Sequence, residues 1–166
     1  MLRWLTPINA WISRICMVLA VIGLFGIVIV VAAQVFGRYV LNDTPSWAES
    51  TALVLVLYVT MFGAAVGVRD AGHIGLESIL VLMLPERFAI WVEIPIHVMV
   101  ALFGVMMAWH AGELALSVMP YKIPTLGISE GFNHLPLVIA GVLITLFSIE
   151  HIIALIEGKE VQPAWH

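Results

Sequence analysis

Charge is scarce in this chain. Of its 166 residues, 11% are Asp, Glu, Lys or Arg, where soluble domains carry roughly 25%. So few polar side chains cannot clothe a water-facing surface. Basic runs are missing too, and the net charge is −4. Nucleic acid is excluded as a partner, because phosphate contacts need clustered Lys and Arg. The single cysteine, Cys16, can form no internal disulfide and no cysteine-rich metal site. No HExxH, Walker loop or GxSxG occurs, so the expectation is a chain that is not an enzyme and carries no cofactor.

What is present is hydrophobic: 62% of residues, with a mean hydropathy of +1.08. Charges cut the chain into uncharged runs of 23, 19, 19 and 19 residues, at 15–37, 50–68, 94–112 and 131–149. A helix needs about 20 apolar residues to cross a bilayer. The reading is an all-α integral membrane protein, a single four-helix membrane domain over residues 1–166. Its spans lie at about 15–37, 50–68, 94–112 and 135–157. The first run exceeds the 7–15 residues of a signal-peptide core, so it reads as a retained span. With the N-terminus inside, Arg3, Arg14, Arg69, Arg87 and Lys159 are cytoplasmic and Arg38 and Lys122 are outside. Five against two places both termini in the cytoplasm.

The connecting segments carry their own signals. NDTPSWAE at 42–49 reads as a turn, then Ser46 as N-cap with Glu49 three residues on. Trp47 suits the headgroup level. HIGLESILVLML at 73–84 is apolar but too short to span, so a short interfacial helix is expected between spans 2 and 3. Pro85 and Pro120 bound a third helix of about 35 residues, or roughly 50 Å, which must tilt, kink at Pro95 or run along the interface. The loop 119–136 reads as irregular, and helix 4 is expected from Pro136 to a stop at Gly158.

Several residues are candidates for interaction. Gly63 and Gly67 on helix 2, and Gly104, Ala108 and Gly112 on helix 3, are spaced by four. Such ridges let helix backbones approach closely, within the chain or against a partner. Arg38 and Glu49 could pair with each other, or Arg38 could hold a phospholipid phosphate; both also read as ordinary flanking anchors. Arg69, Asp70 and His73 mark the inner end of helix 2, and Glu93 and Glu113 read as water-facing. Six histidines raise a haem reading, with His97 near His151 and His110 near His134. Helical phase opposes it, because neither helix presents both of its histidines on one face. A haem- or quinone-binding membrane anchor of a redox complex remains the alternative.

Two stretches carry a family resemblance. The first is Gly37-Arg38-Tyr39-Val40-Leu41-Asn42 followed by Pro45-Ser46-Trp47-Ala48-Glu49. The second is Phe62-Gly63-Ala64-Ala65 through Val68-Arg69, Gly72-His73-Ile74 and Leu84-Pro85. In order and spacing the set resembles the small membrane subunit of tripartite ATP-independent periplasmic (TRAP) transporters, the DctQ type. Ser50 stands where that family often continues with a second acidic residue. The resemblance implies a bacterial inner-membrane protein in a sodium-coupled importer of an organic acid, such as a C4-dicarboxylate or sialic acid. It implies a DctM-type large subunit as partner and a DctP-type periplasmic binding protein docking on the outer face. It also implies a scaffold role with no substrate site. Arg38, Tyr39, Trp47, Glu49, Arg69 and His73 are then the interface or docking candidates.

Overall fold

A computed structural model describes residues 2–71, 86–158 and 161. The helices are α1 (Leu2–Tyr39), α2 (Ser46–Val66), α3 (Glu86–Val118) and α4 (Leu135–Ile156). A π-helical turn, Gly67–Ala71, continues α2, and a 3-10 turn, Glu130–Asn133, leads into α4. All four helices are long and apolar enough to cross a membrane. The interfacial helix expected at 73–84 lies outside the described residues.

The helices form two antiparallel hairpins, α1 with α2 and α3 with α4, joined by contacts of α2 and α1 with α4. Cys16, Phe62, Ala65, Val66, Ala140, Leu143, Ile144 and Phe147 form the core where they meet. The apolar window of α1 has the highest mean hydropathy, 3.1, yet is 6% buried, against 44% for α4. In a lipid solvent, apolar surface has no need to turn inward, so the most hydrophobic helix can be the least covered.

Helix ends follow local chemistry, with some departures from expectation. α1 begins at Leu2, well before the uncharged run, because that run marks the bilayer portion and not the helix. At 38 residues it is about 57 Å long. Ser46 is the first helical residue of α2 and not its cap: Pro45, at φ −61° and ψ 115°, occupies the cap without a side-chain bond. α3 runs 33 residues through Pro95, about 50 Å as expected. α4 starts with Pro136 in its first turn, and Gly158 follows its end at φ +65°, a left-handed conformation that glycine adopts without strain.

The loop between α3 and α4 is more ordered than its prolines and glycines suggest. Lys122 and Ser129 form an antiparallel bridge, Glu130 N–H donates to the Tyr121 carbonyl at 2.8 Å, and Ser129 Oγ donates to the Met119 carbonyl at 2.7 Å. The loop is pinned to α2 through Ser50–Thr125 hydroxyl contact at 2.6 Å and Tyr58 OH donating to the Phe132 carbonyl at 3.0 Å.

Candidate functional site

Where the two hairpins meet, at the end carrying the start of α1 and the end of α4, the core becomes ionic. The π turn directs two consecutive residues, Arg69 and Asp70, into the interior, where both side chains are 0% exposed. Arg69 pairs with its neighbour Asp70. From the other hairpin Glu150 accepts from Arg69 Nε at 3.2 Å and from Nη2 at 3.3 Å. The first turns of α1 complete the shell: Asn9 Nδ2 donates to Glu150 at 2.9 Å, Ser13 Oγ donates to Asp70, and the Thr6 carbonyl accepts from Arg69 Nη2 at 3.5 Å. The guanidinium carbon lies 6.0 Å from the centre of the Phe147 ring.

Two histidines sit beside this cluster. His151 Nε2 lies 3.0 Å from the Arg69 carbonyl, and since a carbonyl only accepts, this nitrogen carries the proton. The His151 ring stacks on His97 of α3, with centroids 4.7 Å apart and planes at 8°. Rings in face contact cannot serve as opposite axial ligands of a haem, whose iron the two nitrogens would have to approach from either side. Four helices thus contribute to one buried polar body. Removing one partner of such a pair leaves an uncompensated buried charge, which is what makes the arrangement energetically binding.

Sequence position alone puts Arg69 at a span margin and does not single out Asn9, Ser13 or Glu150. A signal was available in helical phase. Ala140, Ile144, Phe147, Glu150 and Ala154 are all buried and recur every three or four residues, so Glu150 lies on the apolar face of α4. Asn9, Ser13 and Cys16, also buried, repeat the pattern on α1.

The small residues divide into two groups. Gly104 and Ala108 meet Gly141 and Thr145 across the α3–α4 seam: a Cβ on Gly104 would lie 2.6 Å from Thr145 Oγ1 and 2.8 Å from the Gly141 carbonyl, and one on Gly141 would lie 2.7 Å from Ala108 N. Among the described residues, Gly63, Gly67 and Gly112 face open space, with nothing within 4 Å of an added Cβ. At the loop end Arg38, Tyr39, Trp47 and Glu49 are exposed. Arg38 lies over the neighbouring Tyr39 ring at 5.9 Å. His73 lies outside the described residues. His110 sits 3.4 Å from Glu113 on the exposed face of α3.

Comparison with known proteins turns this architecture into an assignment. The profile of the DctQ component of tripartite ATP-independent periplasmic transporters matches residues 27–158, most of the chain. This chain belongs to the DctQ family. It is 27% identical over 128 residues to the sialic acid TRAP transporter small permease protein SiaQ of Vibrio cholerae, covering 75% of this chain and 71% of that one. It is also 29% identical over 170 residues to the sialic acid TRAP transporter permease protein SiaT of Haemophilus influenzae. That match takes in 98% of this chain but a quarter (25%) of SiaT. As a DctQ component it is a multi-pass bacterial inner-membrane subunit of a TRAP transporter, and the family implies a large permease as partner. The DctQ match holds Arg69, Asp70, His97, Glu150 and His151, while Asn9 and Ser13 precede it.

Proposed function

We propose that this chain is the scaffold subunit of a sodium-coupled tripartite importer of an organic acid, with no substrate site of its own. The observation that carries this is where its polar groups lie. The buried ions gather at one end and satisfy one another. In mid-span, Thr60 and Thr145 bond to carbonyls of their own helices, at 2.6 and 2.8 Å. An ion-coupled carrier needs ionisable groups or broken backbone near the midplane. Both named relatives are permease proteins of sialic acid TRAP transporters, so sialic acid is the first substrate to test, with C4-dicarboxylates next.

In this reading both termini are cytoplasmic, and a DctP-type binding protein docks on the outer face beside Arg38, Tyr39, Trp47 and Glu49. The open positions of Gly63 on α2, Gly67 at the start of the π turn and Gly112 on α3 let a DctM-type large subunit approach closely. The SiaT match supports a close association, since there the corresponding segment belongs to a chain roughly four times as long.

The test is reconstitution. Proteoliposomes with this chain alone are expected to show no uptake. Uptake is expected with the large subunit, a sodium gradient and the loaded binding protein, and is expected to vanish when this chain is omitted. Sodium-driven uptake by this chain alone would overturn the scaffold reading.

A further inference from the structure

A cavity of 220 Å³ lies between α2 and the ordered α3–α4 loop. Its α2 wall is graded. Ser50 stands at one end, and Leu53, Val54 and Leu57 follow toward the interior of the span. Seven residues of helix rise about 10 Å, which exceeds the roughly 5–7 Å of one headgroup layer and reaches into the hydrocarbon. The loop wall supplies Lys122, Glu130 and Asn133, one cation, one anion and one amide. The Asn133 side-chain oxygen is buried and accepts no hydrogen bond from any described residue. The walls are fixed in place by the Ser50–Thr125 and Tyr58–Phe132 contacts and by the Lys122–Ser129 bridge.

We propose that this cavity is a binding site for a zwitterionic, amine-bearing phospholipid of the phosphatidylethanolamine class. Lys122 meets the phosphate. Glu130 accepts from the ammonium. The first methylenes of an acyl chain lie on Leu53, Val54 and Leu57. Charge complementarity selects this occupant: an anionic lipid would satisfy Lys122 but set its charge against Glu130, and a lipid with a trimethylated amine has no N–H to donate. The site would tie the outer loop to the bilayer surface through a molecule of the bilayer itself. It needs only a membrane-spanning chain and does not depend on the transport reading.

The experiment is native mass spectrometry of the full-length chain, delipidated in mild detergent and titrated with phosphatidylethanolamine, phosphatidylglycerol, phosphatidylcholine or soluble phosphoethanolamine. Phosphatidylethanolamine is expected to be held about five-fold more tightly than either other lipid, the effect of one partly exposed ion pair. E130Q should bring the phosphatidylethanolamine-to-phosphatidylglycerol ratio close to one, and K122A should weaken both. L53W should block the mouth; Leu53 is 61% exposed, so the larger ring leaves the core undisturbed, and an unchanged unfolding midpoint checks this. Equal retention of the lipids by the unaltered chain would overturn the proposal, as would undiminished retention by L53W. Phosphoethanolamine binding as tightly as the lipid would identify a soluble ligand instead. Crosslinking of K122C to a co-purifying protein in native membranes, in place of lipid, would assign the cavity to a subunit contact.

Discussion

At one end of the bundle, side chains from α1, the π turn and α4 bury a guanidinium and two carboxylates against one another. At the other end, the helices are tied by a loop whose bonds are mostly backbone and hydroxyl contacts, with Lys122 and Glu130 at the surface. The first arrangement fails badly when any member is removed, because the remaining charges cannot be rehydrated. The second loses one contact at a time, because water and headgroups substitute for what is lost. A membrane subunit with both kinds of closure has a rigid end that fixes how its hairpins are paired and a compliant end that can adapt to a partner.

The sharpest way to break the contrast is at the rigid end. R69A strands Asp70 and Glu150 and is expected to cost about 3–5 kcal/mol, read as a lowered unfolding midpoint in detergent. The double variant R69A/E150A should recover part of that loss, since a coupled pair is non-additive. Strict additivity would show that the two residues do not depend on each other. Between the ends, G104L drives a side chain into Thr145 and the Gly141 carbonyl and is expected to cost about 1–3 kcal/mol, also read from the midpoint. At the loop end, T125V removes the hydroxyl contact to Ser50 and should cost about 0.5–1.5 kcal/mol. A loss comparable to R69A would erase the distinction between the ends. Smallest of all, G63L should change the stability of the isolated chain by no more than about 0.5 kcal/mol, because no described residue faces that glycine. It should nevertheless loosen co-purification with the large subunit. Full retention of complex and transport would remove Gly63 from the interface.

Hydropathy made the four spans and their approximate limits readable, because a bilayer imposes length and apolarity on every helix that crosses it. The charges were harder. Arg69 at a span margin reads equally as a snorkelling anchor or a buried ion, and only the pairing of α2 with α4 decides. Glu150 could have been suspected from its phase with Phe147 and Ala154. The glycines show the same limit: Gly63–Gly67 and Gly104–Ala108 have one spacing and opposite surroundings, because spacing describes a single helix and contact requires two. Ser46 illustrates a local competition, in which the extended conformation of Pro45 took the cap that a serine usually holds.

The position of Glu150 in the last helix also bears on biogenesis. It is separated from Arg69 by 81 residues, which ribosomes at 5–20 residues per second take roughly 4–16 s to add. Of the two ion pairs described for Arg69, that with Asp70 can form during this interval and that with Glu150 cannot. In the proposed orientation Arg69 therefore has two successive roles. While the nascent chain is being threaded, its charge helps hold the inner end of α2 on the cytoplasmic side. Once the fourth helix arrives, the same charge is withdrawn from the membrane surface and fastens the finished bundle.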